Sequence, residues 1–505
     1  MGASVQGRII RDLRRAWTEQ EDIMTRKYVV LVALGFFLMA LTLWVVSCAR
    51  NPVTGRKELM LVSEGDELKL GQQTDAEIVQ KHGLYEDAQL TPYLNGICQN
   101  LGKFSHRPHL NFQLKILDVA VVNAFAVPGG YVYFTRGILA ILDNEAELAG
   151  VMGHEIGHIA ARHSAQQLSR AQLAQVSFAV VDVIPGLSGL AQLGAGMLFL
   201  RFSRDNEREA DRLGVDYSTK AGYDATQMAT FFEALERMNP GSDRSGLPAW
   251  FSTHPNPEDR VQVVRAQAIH LQRSLNLQRP RIDKEGYLRR IDGIAYGEDP
   301  RQGYVAEGMF FHPDLRFQFP VPADWKVSNT PIQVQMVSKA EDAAIVFTVA
   351  RGSSSKDAAR TFVTQTKASV AMTEALEVSG LISQRLISDI RTDKGALRVM
   401  SYFIQKDKSV YMFHGVTSPT LFQKKQGLFD STMRQFRELT DPGKINVQPD
   451  HLRIRTAGTA DTLENGLRSL GVPEKELKET VLLNGGVPTQ RIAANSLLKM
   501  VEKGR

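Results

Sequence analysis

The sequence predicts an α+β chain: a mainly helical domain with a small β-sheet, then a separate α+β domain, then a small module of strands and two helices. Three observations predict this order. Apolar Leu148, Val151, Met152, Ile156 and Ile159 recur at helical spacing behind a capping signal. Residues 303–440 alternate strand-like runs with helical stretches. A break at Asp441-Pro442-Gly443 then opens a last short segment, 444–505. The 505 residues, 43% apolar and 23% charged, have the composition of a folded chain. The net charge of +5 is modest and no dense basic patch carries interleaved aromatics, so nucleic acid is not an expected partner.

Residues 1–47 read as a targeting segment. Arg26 and Lys27 precede Tyr28–Val46, which carries no charge, and Val45-Val46-Ser47-Cys48 follows. That tetrapeptide resembles a bacterial lipobox, which implies a lipidated Cys48 as the mature N-terminus. A retained transmembrane anchor is the main alternative, because nineteen apolar-rich residues nearly suffice to cross a bilayer. An Arg-rich beginning leaves a mitochondrial presequence as a third. Both leading readings put the basic end inside and the remainder outside. Ala49, where inner-membrane retention is associated with aspartate, favours an outer-membrane lipoprotein facing the periplasm. The other cysteine, Cys98, sits in an amphipathic stretch and reads as a core residue, so no disulfide framework is expected.

Residues 48–62 form a tether with turn chemistry at Asn51-Pro52-Val53-Thr54-Gly55, and 63–295 the first domain. Ser63–Lys81 reads as a charged helix. Phe112–Leu117 and Val119–Ala126 read as strands, and Pro128-Gly129-Gly130 turns into Tyr131–Thr135 as a hairpin-like arrangement. Asn144 can cap the next helix, with Glu147 as its capping-box partner. On that helix stands His154-Glu155-Ile156-Gly157-His158, an H-E-x-x-H motif. One turn apart, His154 and His158 can hold two corners of a tetrahedral zinc, with Glu155 as general base.

A third ligand comes from Asn206-Glu207-Arg208-Glu209-Ala210-Asp211 on a second helix. Glu207 and Asp211 share a face, so one can bind metal while the other orients a ligand from behind. Glu209 is the rival; at about 100° per residue it points about 160° away from Asp211's side. Val176–Leu200, apolar but broken by Pro185 and several glycines, reads as a mobile flap over a cleft or as a buried helical hairpin. Asp224–Met238 reads as a helix capped by Asp224. His254 lies just before another helix start, with Asn256 as cap and Pro257 at the first position. It is placed either to stabilise a tetrahedral oxyanion or to occupy the open zinc position and hold the enzyme off. Arg260 is placed to orient it or to bind a substrate carbonyl. His163, near the end of the first metal helix, reads as a surface residue at the negative end of the helix dipole.

The pair H-E-x-x-H and E-x-x-A-D resembles the gluzincin zinc metallopeptidases of family forty-eight, which includes the HtpX-like and Oma-type proteases and the CAAX prenyl endopeptidases. Asn123-Ala124-Phe125-Ala126-Val127-Pro128-Gly129-Gly130 and Thr253-His254-Pro255-Asn256-Pro257-Glu258-Asp259-Arg260 match two further elements of that family, over residues 50–275. The resemblance implies a zincin-type metalloprotease domain binding one zinc ion through His154, His158 and Glu207, with Glu155 catalytic. In such a protease a strand edge beside the metal pairs with the substrate backbone, and Ala124 and Phe125 are expected there. Misfolded or unassembled envelope polypeptides are the implied substrates.

Residues 303–440 show no ligand cluster. Strands are expected at Phe317–Val321, Ile332–Val337, Ala344–Ala350, Leu397–Ile404 and Val410–Val416, with helices at Lys356–Ala371 and Thr420–Phe436. In the last segment Ile454-Arg455-Thr456, Thr459-Ala460-Asp461-Thr462-Leu463 and Val481-Leu482-Leu483-Asn484-Gly485 resemble a divergent LysM module, which implies contact with peptidoglycan glycan. The expected function is zinc endopeptidase. The rivals are a periplasmic chaperone or assembly factor whose zinc site His254 holds shut, and a peptidoglycan-directed hydrolase.

Overall fold

The computed structural model describes residues 48–173, 202–238, 250, 253–254, 259–350, 354–392 and 395–504. Residues 1–47, the 176–200 stretch and the expected cap at Asn256-Pro257 lie outside them. Cys48–Arg50 (β1) pairs antiparallel with Lys57–Leu59 (β2). Helix α1 (Glu64–His82) starts where the hydroxyl of Ser63 accepts the Asp66 N–H, and α2 (Leu90–Lys103) buries Leu94, Cys98 and Leu101.

Three strands follow: β3 (Gln113–Leu117), β4 (Ala124–Val127) and β5 (Tyr131–Thr135). β4 and β5 form the expected hairpin, while β3 runs parallel to β5, giving the order β3-β5-β4. The expected strand at Val119–Ala126 forms only from Ala124. Upstream of it the Thr135 hydroxyl donates to the Val121 carbonyl, the Thr135 N–H donates to that of Asn123, and the Gly137 N–H donates to that of Val119. Those carbonyls are thus spent on the start of the next helix, and a Cβ on Gly137 would lie 2.2 Å from the Ala120 oxygen.

That short helix, α3 (Arg136–Ile141), leads into α4 (Glu145–Ala160), which carries the H-E-x-x-H motif. Asn144 Oδ1 accepts the Glu147 N–H at 2.8 Å, a cap that contributes about 1 kcal/mol. Glu147 returns its carboxylate to the Asp143 N–H rather than to that of Asn144. All 16 residues of α4 are buried, so it is a central helix and not an amphipathic one. Helix α5 (His163–Leu173), α6 (Arg204–Lys220), α7 (Thr226–Arg237), α8 (Arg260–Ser274) and α9 (Lys284–Ile291) complete the layer. Helix α7 starts later than expected: Asp224 Oδ1 accepts the Thr226 N–H and hydroxyl and the Gln272 amide, forming a turn before the helix instead of its N-cap.

β6 (Ala295–Tyr296), β7 (Tyr304–Ala306), β8 (Met309–His312) and β9 (Phe317–Pro320) lead into a seven-stranded antiparallel sheet. Its strands are β10 (Lys326–Thr330), β11 (Gln333–Val337), β12 (Ala343–Ala350), β13 (Ser369–Val378), β14 (Leu381–Thr392), β15 (Gly395–Lys406) and β16 (Ser409–Thr417), ordered β10-β11-β12-β16-β15-β14-β13. Helix α10 (Ser355–Thr366) packs Phe362 on one face. Helix α11 (Pro419–Arg434) packs Phe422 and Phe429 on the other, among Phe317, Phe319, Phe347 and Phe413. The expected helix to Ala371 stops at Thr366 because Lys367 adopts a left-handed conformation, φ 52°. The next residues form β13, an edge strand exposed along most of both faces, which therefore lacks the alternation that marks a half-buried strand.

After β17 (Arg437–Glu438) and the single turn α12 (Pro442–Ile445) comes β18 (Asp450–Thr456). Then follow β19 (Asp461–Thr462), α13 (Leu463–Ser469), α14 (Glu474–Leu483), β20 (Arg491–Ile492) and β21 (Leu497–Glu502). β18 pairs antiparallel with β21 around the two helices, and β6 adds to the same sheet. The buried Lys499 Nζ lies 2.8–3.0 Å from the carbonyls of Ala140, Ile141 and Leu142 and 2.7 Å from Asp143. The C-terminal strands are therefore anchored beside the cap of α4. Among the described residues no helix is long and apolar enough to cross a membrane.

Candidate metal centre

Small residues bring α4 against α6. A Cβ on Gly153 would lie 3.0 Å from the Gly214 oxygen, and one on Gly214 would lie 2.9 Å from the His154 nitrogen. This close approach sets Glu207, one turn into α6, beneath the two motif histidines. His154 Nε2 and His158 Nε2 are 3.0 Å apart. Glu207 reaches them with Oε2 at 3.6 Å and Oε1 at 3.5 Å. His254 Nδ1 comes from a separate segment, 3.1 Å from Glu207 Oε1 and 3.2 Å from His154 Nε2. All four are buried.

These separations are those of a metal site. Zinc bonds of about 2.0–2.1 Å at tetrahedral angles hold their donors roughly 3.3 Å apart. Two of the four donors are held in the form that binds metal, whereas against the opposing pull of burial the carboxylates of Glu207 and Glu155 raise His254. Burial pushes His158 well below its ordinary pKa, and although burial opposes it, the imidazoles of His254, His158 and His154 hold Glu207 well below the carboxylate range. Neutral imidazole and ionised carboxylate are the forms that donate to a metal. Glu207 Oε2 and both oxygens of Glu155 are buried without a hydrogen-bond partner, and such orphans call for a ligand. The residues present therefore fit a zinc ion.

The supporting groups surround this cluster. Asp211 Oδ1 lies 2.8 Å from His154 Nδ1, and Arg260 donates to the same oxygen at 2.7 Å. Arg260 also approaches Glu207 at 3.5 Å and stacks 4.0 Å over the Phe232 ring, so its guanidinium faces the carboxylates behind the ligands. His254 is held by Trp250, stacked on it at 4.1 Å and accepting its backbone N–H at 2.7 Å. The Trp250 N–H in turn donates to the Val122 carbonyl, just before β4. Ala124 and Phe125 stand on β4, the sheet edge that packs against α4, with buried side chains; the Phe125 ring stacks on Tyr133. Cys98 is a buried free thiol, as expected, raised to about 12 by burial.

His163 is a correction. Expected at the surface, it is fully buried, with Nδ1 2.9 Å from His158 Nδ1 and Nε2 3.2 Å from Glu209 Oε2. A continuous helix at about 100° per residue would place it about 140° round from His158. Arg162, left-handed at φ 59°, breaks the helix and folds the chain back beneath that ring. It is pinned there by Glu67 at 2.8 Å and the Val62 carbonyl at 2.9 Å. Glu209, the rival ligand, is spent on His163 instead. Phe202, which sequence reasoning also missed, stacks on His158 at 4.0 Å.

Residues 88–268 match Peptidase family M48. The chain is 30% identical over 229 residues to the beta-barrel assembly-enhancing protease of Escherichia coli (strain K12), covering 43% of this chain and 47% of that protein. It is 32% identical over 194 residues to the mitochondrial metalloendopeptidase OMA1 of Arabidopsis thaliana, covering 36% and 38%. It is 25% identical over 284 residues to the mitochondrial metalloendopeptidase OMA1 of Bos taurus, covering 51% and 54%. The match thus spans about half or less of the length of these relatives. The helices that carry the cluster, α4 and α6, both fall within the matched region, and the chain therefore carries a zinc metallopeptidase domain of Peptidase family M48.

Proposed function

We propose that the chain is a zinc-dependent endopeptidase of the bacterial cell envelope that hydrolyses misfolded or unassembled envelope proteins. The observation that carries this reading is the buried donor cluster with Glu155 alongside, at the spacing zinc requires. His154, His158 and Glu207 are the ligands, and Asp211 and Arg260 orient them from behind. Bound there, zinc supplies Lewis acidity toward a peptide carbonyl and toward water. Glu155 accepts a proton from water at a carboxylate oxygen and delivers it to the leaving nitrogen. With the side chains of Ala124 and Phe125 buried, β4 offers its backbone edge, on which an extended substrate pairs as an added strand.

The envelope setting is supported by the similarity to the beta-barrel assembly-enhancing protease and by the lipobox-like run ending at Cys48. The first supports unassembled envelope polypeptides as its substrates. The second supports a lipidated, outer-membrane-anchored chain facing the periplasm. The LysM-like sequence of the C-terminal module supports contact with peptidoglycan. The test is metal analysis of the purified chain with cleavage of an unfolded protein such as casein. Chelation is expected to abolish cleavage and one equivalent of zinc to restore it. A zinc-free preparation that cleaves at the full rate overturns the reading.

One observation favours a second reading, an assembly factor whose protease is held shut. His254 completes a set of four protein donors, whereas a catalytic zinc keeps one position open. His254→Ala is expected to raise the casein cleavage rate severalfold with zinc retained. A fall in rate would assign His254 to oxyanion stabilisation instead.

A further inference from the structure

We propose that His163 and Glu209 form a two-step hydrogen-bond relay that sets the tautomer and aim of His158 at the metal position. This rests on the zinc reading above. His158 Nε2 faces the cluster, 3.0 Å from His154 Nε2 and 3.5 Å from Glu207 Oε1, so the nitrogen left to carry its proton is Nδ1. That Nδ1 meets His163 Nδ1 at 2.9 Å. Two protonated nitrogens cannot face each other there, so His163 Nδ1 accepts and its own proton sits on Nε2. His163 Nε2 lies 3.2 Å from Glu209 Oε2, a carboxylate that can only accept. The geometry thus assigns each proton: His158 Nδ1–H donates to His163, and His163 Nε2–H donates to Glu209.

The two motif histidines are held by different devices. His154 is bonded directly by Asp211, a buried carboxylate that Arg260 also engages. His158 reaches its carboxylate only through a second imidazole. That imidazole is fully buried, while the Glu209 side chain keeps about a fifth of its surface, 21%, in solvent beside Arg212 at 3.8 Å. A residue retained for packing would not need a ring nitrogen at each of these two distances. Nor would it need the left-handed Arg162 that turns it back under His158. Partners of this kind hold a metal-binding imidazole in one tautomer and raise its basicity, and losing one costs about 10–100-fold in metal affinity. His163 is on this reasoning a positioning residue.

The test is zinc retention by the full chain against graded chelator, read by mass spectrometry of bound metal, with the unfolding temperature of the zinc-free form as control. His163→Phe fills the space without an acceptor and is expected to release zinc at about 10–100-fold lower chelator. His163→Asn sets an amide oxygen near the place of Nδ1 and is expected to recover most of that loss. Glu209→Gln, at a partly exposed position where folding is not at issue, is expected to weaken zinc in the otherwise unchanged chain and to add nothing to His163→Phe. The relay is overturned if Asn behaves as Phe does, if the two losses add, or if every variant keeps zinc within about twofold of the parent, well below the loss such partners carry. A parent chain that binds no zinc overturns the metal reading along with it. A parent that binds tightly beside unaffected variants overturns the relay alone.

Discussion

Glu155→Gln is expected to slow peptide-bond cleavage by about 10²–10⁴-fold, the range that a positioned general base contributes, while zinc stays bound. The side chain is fully buried, its oxygens have no hydrogen-bond partner, and it stands outside the donor set of His154, His158, Glu207 and His254. Glutamine keeps the volume and removes the proton acceptor, so the chemistry is lost with the metal geometry retained. Cleavage rate and zinc content measured on the same preparation separate the outcomes. A variant within tenfold of the parent removes Glu155 from the role of base. A variant that has lost its zinc makes it structural.

Lys499→Met is expected to cost about 3–5 kcal/mol, the usual loss when one partner of a buried charged pair is removed. Burial pulls the Lys499 ammonium below its ordinary pKa, and Asp143 beside it opposes that pull. The methionine fills the same space but leaves Asp143 to Lys284 at 3.4 Å and takes the donor from the carbonyls of Ala140, Ile141 and Leu142. Chemical denaturation reads the loss. Amide exchange should rise first along β21 and around Asp143 and Asn144. The Asp143→Ala and Lys499→Met pair should cost less than the sum of its parts, because each removes the same contact. A loss below about 1 kcal/mol would reduce this contact to the level of a surface pair.

Three of the clustered donors, His154, His158 and Glu207, were legible because their logic is local. His154 and His158 are one helical turn apart, Glu207 and Asp211 another, and helical periodicity alone puts each pair on one face. The anchoring of the C-terminal strands was not legible. Lys499 contacts residues 357 to 359 positions away, and in sequence it is one lysine among many. Strand β13 was missed for a related reason: at a sheet edge, exposed on most of both faces, it carries no burial pattern to read.

By itself the sequence determined the helix around the motif, its cap at Asn144, the identity of the chemical groups and the α+β class. These follow from backbone hydrogen bonding and side-chain periodicity over a few residues. Tertiary structure alone decided that His254 joins the cluster, that His163 turns inward and that Glu209 meets it there. Each of these depends on where separate segments meet, and in His163's case on one left-handed residue held by a glutamate 95 positions earlier. No local pattern encodes that meeting, because the free energy that secures it comes from packing elsewhere in the fold.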